Sequence, residues 1–470
     1  MKIAIIGAGS IIFCKTLMMD ILNTPSLGHI EFSLMGPTIH KLEKMKVFFD
    51  EVITTNKLDS NVNITTSRRR ALEGADFIIF MFQVGGVEAF RFDYEIPRAF
   101  GVDQCIGDSM GPGGIFRALR TIPVLVDLAK DIKELSPNAY ILNYVNPMAI
   151  VCWTLGTFGD LKYVGLCHGV QTTMDLIAGY LGEKKESIDF TCAGINHMAW
   201  FLKLEKNGVD LYPKFRKLFE KPEYYINEKV RGEVFRQFGY FMTESTGHLS
   251  EYLPWFRSSK RALETYCDMP DFGGESGAYY NYCKMIGEKF ATNNFLITES
   301  KELGKRSNEY CSHIIEAIVT GKTFKFNGNV RNDGLISNLP FGACVEVPVF
   351  ADKTGLHSTF VGKLPTQCAA LNVTNVNVQG LVVKAGLCGD PDLVVNAISL
   401  DGLTSAVLTL NEIREMVTEM FKIQAEWLPQ FKELPEKTPK IEIPYDVKPA
   451  DVPIDPALAI ANRFSELADR

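Results

Sequence analysis

Short apolar runs alternate with helical patterns through the first part of the chain. Lys2–Ile6 is an apolar run that breaks on Gly7-Ala8-Gly9-Ser10, and apolar positions resume at helical spacing over Ile11–Leu22. Runs of strand length recur at 29–35, 62–66, 77–82, 139–144 and 162–166. A short helix and turn covers 71–76, and a long helical pattern covers 115–132. Near-continuous apolar strands belong to sheets covered on both faces. The alternation therefore predicts an α/β fold with a mainly parallel, doubly wound sheet of Rossmann type.

After residue 191 the pattern changes. A strand is expected over 198–204, followed by an Asn207-Gly208 turn, a helix over 230–240 and a dense polar-aromatic run at 244–256. A helix over 307–320 has Ser307 as its expected N-cap, and 327–341 is rich in Asn and Gly. Residues 344–349 read as a strand that Pro348 confines to an edge. A helix over 413–428 closes the core. The expected organisation is a Rossmann-type domain over 1–193, an α+β domain over 194–433 for substrate, metal and oligomerisation, and a proline-rich arm over 434–470.

Several positions carry candidate chemistry. Strand, glycine turn and helix at the N-terminus read either as a plain strand-to-helix turn or, as their place at the N-terminus favours, as a dinucleotide site, with Gly7 in the tight turn and Gly9, Ser10 and Ile11 presenting backbone to a pyrophosphate. The third glycine of that motif is missing. The second strand ends on Gly36 where an acid for the ribose hydroxyls is usual, which leaves NAD or NADP, the latter helped by Thr38, His40 or Lys41. Gln83 and Asn146 follow strands at the edge where open α/β sheets bind ligands. Asp108 lies in a glycine-rich stretch, 106–114, that reads either as a surface turn or as a buried acid beside a ligand.

Cys167, at the end of a strand, and His197 are a plausible divalent-metal pair, since a thiolate and an imidazole suit Mn, Fe, Co, Ni or Zn. The alternative is a buried apolar cysteine and a core histidine. His168 and Asn196 make both positions polar clusters. In the run Thr243-Glu244-Ser245-Thr246-Gly247-His248-Leu249-Ser250-Glu251-Tyr252, Tyr252 can serve as a general base if a cation lowers its pKa.

Composition narrows the partners. A net charge of −7 argues against nucleic acid. No stretch has the apolar length of a membrane span, and Met1 leads straight into a strand, so neither a membrane anchor nor a signal peptide is expected. The 11 cysteines lack framework spacing and suit reduced thiols in a cytoplasm.

At these motifs the chain resembles glycoside hydrolase family 4, the NAD- and metal-dependent glycosidases that depart from two-carboxylate hydrolysis. The resemblance runs from Lys2 to about Leu428. It rests on Gly7-Ala8-Gly9-Ser10, Gly111-Pro112-Gly113-Gly114-Ile115, Asn143-Tyr144-Val145-Asn146-Pro147-Met148, Cys167-His168-Gly169-Val170 and Gly194-Ile195-Asn196-His197. Glu251-Tyr252, Pro254-Trp255 and Gly328-Asn329-Val330-Arg331-Asn332-Asp333-Gly334 look most like its bacterial α-galactosidase branch.

The resemblance implies a lactate/malate-dehydrogenase-like fold, NAD, and Mn²⁺ or another divalent metal on Cys167 and His197. It also implies a homodimer or homotetramer and a small α-glycoside substrate. Implied too is a cycle of C3 oxidation, C2 deprotonation by Tyr252, loss of the aglycone assisted by Asp108 as acid, water addition and reduction. Substrate contacts would come from Asn146, His168, Asn196, Arg331 and Asn332. Phosphosugar branches carry Asp or Asn at the His168 position, so a 6-phosphoglycoside is not expected. Members with glycine at the Gly169 position include enzymes resembling α-glucosidases and α-glucuronidases, which stand as alternatives to an α-galactosidase. A 2-hydroxyacid dehydrogenase is a further alternative, and a non-catalytic dinucleotide sensor a third.

Overall fold

Strand β1 (Lys2–Ile6) lies between β2 (Ile30–Met35) and β4 (Phe77–Phe80), with β3 (Ser60–Thr65) outside β2 and β5 (Tyr140–Asn143) and β6 (Lys162–Gly165) beyond β4. All these pairings are parallel. This computed structural model describes residues 1–292, 296 and 299–435 and, in the tail, 441, 443–448, 450–453, 455–457, 460 and 464. Helices α1 (Ile11–Leu22), α2 (Ile39–Thr55), α3 (Arg68–Leu72), α4 (Gly86–Ala99), α5 (Gly111–Leu135), α6 (Met148–Gly156) and α7 (Gly169–Leu181) connect and cover these strands.

The apolar runs have the physical cause expected of them. Ile3, Ile5, Phe77, Ile79 and Leu142 face one core with Leu17, Ile21, Phe48 and Phe49. Their neighbours Ala4, Ile6, Ile78, Phe80 and Ile141 face a second core with Ala71, Leu125, Leu128 and Val151. Each such side chain taken from water contributes about 1.5–3 kcal/mol. Order 3-2-1-4-5-6 reverses direction between β1 and β4, and the crevice at their carboxyl ends is where doubly wound sheets bind ligands.

The second half does not start a new sheet. The hairpin of β7 (Asp189–Ile195) and β8 (Met198–Lys206), with the short β9 (Val209–Asp210), joins the first sheet through β10 (Phe324–Arg331) and β11 (Cys344–Asp352). Strand β12 (Gly355–Ser358) pairs with β11. Among the described residues the twelve strands form one sheet. Met1–Pro435 is one compact unit, and most of the proline-rich arm expected after it lies outside the described residues.

Four local expectations change. The Asn/Gly-rich stretch after 327 hides most of β10. Strand β11 is internal rather than an edge. The Pro348 carbonyl accepts from Thr359 N–H (2.9 Å), so its nitrogen faces the same side, just past the last β12 pairing at Val349, where the missing N–H forfeits only the reciprocal bond to Thr359. Ser307 caps no helix; its N–H and hydroxyl donate to the Asp20 carboxylate, and the helix runs over Cys311–Thr320. The closing helix starts earlier, at Leu410, where Thr409 and Glu412 form a capping box, and ends at Ile423.

Candidate active site

Cys167 follows β6 at its carboxyl end. His197 sits in the two-residue tip of the β7–β8 hairpin, set by the pairing of Ile195 with Met198. The segment after Tyr240 runs beside β8, with Thr243 N–H donating to Ala199 (2.9 Å), and so delivers Glu244 next to His197. The ligand atoms of Cys167, His197 and Glu244 lie within 4.8 Å of one another. His197 and Glu244 both hold left-handed backbone, φ 65° and 80°, a strain that non-glycine residues keep mainly at functional positions.

The donor chemistry fits a divalent ion. Burial pushes the Cys167 thiol well above its ordinary pKa, aided by the charges of Glu244 and Glu346, so a thiolate there needs a cation. Burial lowers His197 to about 4, which keeps the imidazole neutral and able to donate a lone pair. Burial works against ionisation of Glu244, but the facing His197 and His248 outweigh it and hold its carboxyl below the usual range.

Around these donors, His197 Nδ1 lies 2.9 Å from the Tyr252 hydroxyl. Burial, then the Asp108 charge, push that phenol well above its ordinary pKa. His248 stands 3.4 Å from Glu244 and 3.7 Å from Asp108. Burial disfavours its charge, but these acids raise it to about 9, so it is an imidazolium at neutral pH.

Asp108 accepts from Ser109 (2.7 Å) and from Asn146 (3.0 Å). Burial opposes its charge, while Arg117 and His248 hold it ionised. The loop carrying it is pinned by Glu251, which accepts from Gln104 (3.1 Å) and from the N–H groups of Ile106 and Gly107. Asn196 Nδ2, Thr246 Oγ1, His248 Nε2 and Arg117 Nη1 are buried polar atoms with no hydrogen-bond partner in the protein, as a site lined for a polar ligand requires.

The dinucleotide edge also fits its ligand. Gly7 has φ 96°, and a Cβ there would lie 2.7 Å from Phe82 backbone. Ser10 makes no side-chain cap and the first turn of α1 holds no acid, so its amides are open to a pyrophosphate. Gln83 donates to the Gly86 carbonyl (3.0 Å) just past β4. The Lys41 side chain passes 3.7 Å from where a Cβ on Gly9 would stand.

Comparison with known proteins decides the family. Residues 2–183 match the model of the family 4 glycosyl hydrolases, and residues 192–404 match that family's C-terminal domain. The chain belongs to family 4 of the glycosyl hydrolases. An alpha-galactosidase of Rhizobium meliloti (strain 1021) is 43% identical over 92% of this chain and 89% of its own. One from Bacillus subtilis (strain 168) is 40% identical over 92% of this chain and 100% of its own. A 6-phospho-alpha-glucosidase from gut microorganisms, solved in complex with NAD and Mn²⁺, shares the fold with a TM-score of 0.72. Its identity is 22%, over 92% of this chain and 99% of that one.

Membership of family 4 decides against the dehydrogenase and sensor readings. Within this family 4 enzyme the structure brings together Asp108, Asn146, Cys167, Asn196, His197 and Tyr252, with His168 at the rim, its side chain 64% exposed and 3.7 Å from Glu309. It does not bring Arg331 and Asn332 there. Because β10 runs antiparallel to β6 with Asn329 opposite Gly165, these two residues lie towards the amino end of β6, away from Cys167. Arg331 pairs with Asp333 (2.7 Å) and the Gly156 carbonyl (3.1 Å). Asn332 ties the following turn through the carbonyls of Ile336, Leu339 and Pro340. Conversely, Glu244, His248 and Glu251 stand in or beside the same cluster and were left unassigned by the sequence. Their signal was the same polar run that offered Tyr252.

Proposed function

We propose that this family 4 glycosyl hydrolase cleaves α-galactosides in the cytoplasm, using NAD (or NADP, given Gly36) and Mn²⁺ or another divalent transition metal. The observation that carries the reading is the meeting of Cys167, His197 and the Tyr252 hydroxyl in front of a dinucleotide edge. The two alpha-galactosidase relatives support the sugar, and 11 free cysteines support a reducing compartment. No helix among the described residues is long and apolar enough to cross a membrane.

Hydride uptake and return is the chemistry NAD supplies when bound, and Lewis acidity beside a carbonyl is what the divalent ion supplies. Cys167 Sγ and His197 Nε2 would hold the ion. With its ring proton on Nδ1, His197 would donate to the Tyr252 oxygen over 2.9 Å, which opposes the burial that raises this phenol and favours the phenolate that would take a proton from the sugar. Asp108, expected as the acid that assists loss of the aglycone, is held ionised by Arg117 and His248, so its part is to keep the neighbouring imidazolium charged. In the resting site the proton for the leaving aglycone resides on His248, whose Nε2 stands 3.7 Å from Asp108, wide enough to leave it free for a substrate oxygen. Asn146 and Asn196 hold sugar hydroxyls, and His168 at the rim suits a neutral hexose.

The domain division near residue 193, with substrate and metal groups supplied mainly from beyond it, belongs to this proposal, as does a homodimer or homotetramer. The family matches that end at 183 and begin at 192 support the former. Exposed Phe341, Phe360 and Leu410 support the latter.

The test is release of p-nitrophenol from aryl α-galactoside, α-glucoside and α-glucuronide with Mn²⁺, NAD⁺ and reductant, wild type against Cys167→Ser. Turnover of the galactoside with no net NADH, lost in the variant, is expected. Inactivity on all three would overturn the proposal. Gly169 keeps α-glucoside or α-glucuronide as the second reading, decided by the same panel.

A further inference from the structure

The metal site contains a geometric coincidence that two ligands do not explain. An ideal Cβ built on Gly169 lies 2.7 Å from Glu244 Oε1 and 3.5 Å from Cys167 Sγ. Gly169 opens α7 and its backbone is not in the left-handed region, so its conformation alone does not call for glycine. What stands in the way of a side chain is the Glu244 carboxylate.

That carboxylate is aimed. Its Oε1 lies 3.7 Å from His197 Nε2, while Oε2 faces His248 Nδ1 at 3.4 Å, and the side chain is 14% exposed. A carboxylate turned between two imidazoles, on a residue kept at φ 80°, is held in place rather than swung to solvent.

We propose that Glu244 is a third protein ligand of the divalent ion and that the absence of a side chain at Gly169 is what admits it. The inference rests on the metal-site reading above. One thiolate and one carboxylate then balance a divalent charge, and three protein donors leave positions for two sugar oxygens. The hard oxygen donor also moves an otherwise sulfur–nitrogen site towards Mn²⁺, since thiolates favour Zn²⁺ whereas carboxylates suit Mn²⁺. His248 is the positioning residue, fixing the free carboxylate oxygen as groups behind metal ligands do.

The test measures binding rather than turnover. Free Mn²⁺ is read by its electron paramagnetic resonance signal during titration of wild type, E244Q, G169A, the E244Q/G169A double variant and C167S, with Zn²⁺ competition and circular dichroism on each. E244Q should raise the Mn²⁺ Kd at least about tenfold, in the range that loss of a group tuning a metal site produces, and shift preference towards Zn²⁺. G169A should weaken Mn²⁺ several-fold by displacing the carboxylate, and should add nothing in the E244Q background, as expected of two changes acting on one contact.

Wild-type Mn²⁺ affinity in E244Q overturns the inference, as does a G169A effect of equal size in both backgrounds. Should E244Q not fold, G169A decides alone: unchanged Mn²⁺ binding overturns the inference. If C167S loses Mn²⁺ while E244Q keeps it, the site reading stands and only the third ligand falls. Wild-type affinity in C167S means that the site reading itself has failed.

Discussion

Glu346 offers a measurable consequence of burying an acid behind the site. It lies in β11, 1% exposed, with Oε1 unpartnered. Burial, then the charge of Glu244, push its carboxyl up from 4.5 to about 8. Because the folded value is raised, the stability this group contributes is complete below pH 4.5 and is lost as pH rises through about 8. One proton released by the unfolded chain costs about 1.4 kcal/mol per pH unit, so the window holds about 3–5 kcal/mol.

An entropy of unfolding of about 2.1 cal/mol/K per residue makes 1 kcal/mol worth about 1 °C in a unit of this size. Glu346→Gln keeps the shape and cannot ionise. In EDTA, the Tm of wild type should therefore fall about 3–5 °C further than that of the variant between pH 5 and pH 8.5, by scanning fluorimetry. Mn²⁺ should shrink the difference by neutralising Glu244. Parallel curves for the two proteins would refute the burial argument, because every other titrating group is common to both.

Tyr252→Phe should cut kcat by about 10²–10⁴-fold while the dinucleotide titration stays unchanged; an equal loss of dinucleotide binding would mean a packing role instead. Gly7→Ala puts a methyl 2.7 Å from Phe82 at φ 96°, a strain of about 1–3 kcal/mol at the turn. Calorimetry should show weakened NAD⁺ binding, and undiminished affinity would sink the fingerprint reading. Asp93→Ala removes the partner of fully buried Arg120, which donates to both its oxygens (2.8 and 2.6 Å). The guanidinium charge, left with only the neutral Gln424 and Val84 oxygens as acceptors, should cost about 3–5 kcal/mol in chemical denaturation, and a loss below 1 kcal/mol would show that water reaches the site.

What could be read before the structure was what the chain writes locally. The parallel strands announce themselves because both faces are buried, and Gly7, Cys167 and His197 stand at element ends where short motifs remain visible. Strand β10 was hidden because Asn327, Gly328 and Asn329 have the composition of a turn. They are a strand because Val345, Val347 and Val349 pair with it from far along the chain. Arg331 and Asn332 carry the chemistry of a sugar contact, but an antiparallel register sends them to the wrong end of the sheet. Glu244 went unassigned because its place beside Cys167 and His197 is a tertiary contact, and the neighbour its carboxylate approaches, Gly169, is distant in sequence and notable only for lacking a side chain.

The same register explains why one sheet assembles so many functions. Met35, Ile6, Phe80, Asn143, Gly165, Asn329, Glu346, Gly194 and Ala199 pair in an unbroken row across it, and Thr243 extends the row through its N–H. Just past this row the chain places Gly7, Asn146, Cys167, the His197 hairpin tip and Glu244. At the seam of the parallel and antiparallel halves, β6 meets β10 and β11 meets β7 through one residue pair each, Gly165 with Asn329 and Glu346 with Gly194. Cys167 and His197 therefore sit on opposite banks of the seam, and an ion held between them links the two halves. Metal binding should accordingly raise the stability of the whole unit by mass action. It should also slow amide exchange at Asn329 and Glu346, which lie between the two ligands, more than at β2 or β3 on the far edge.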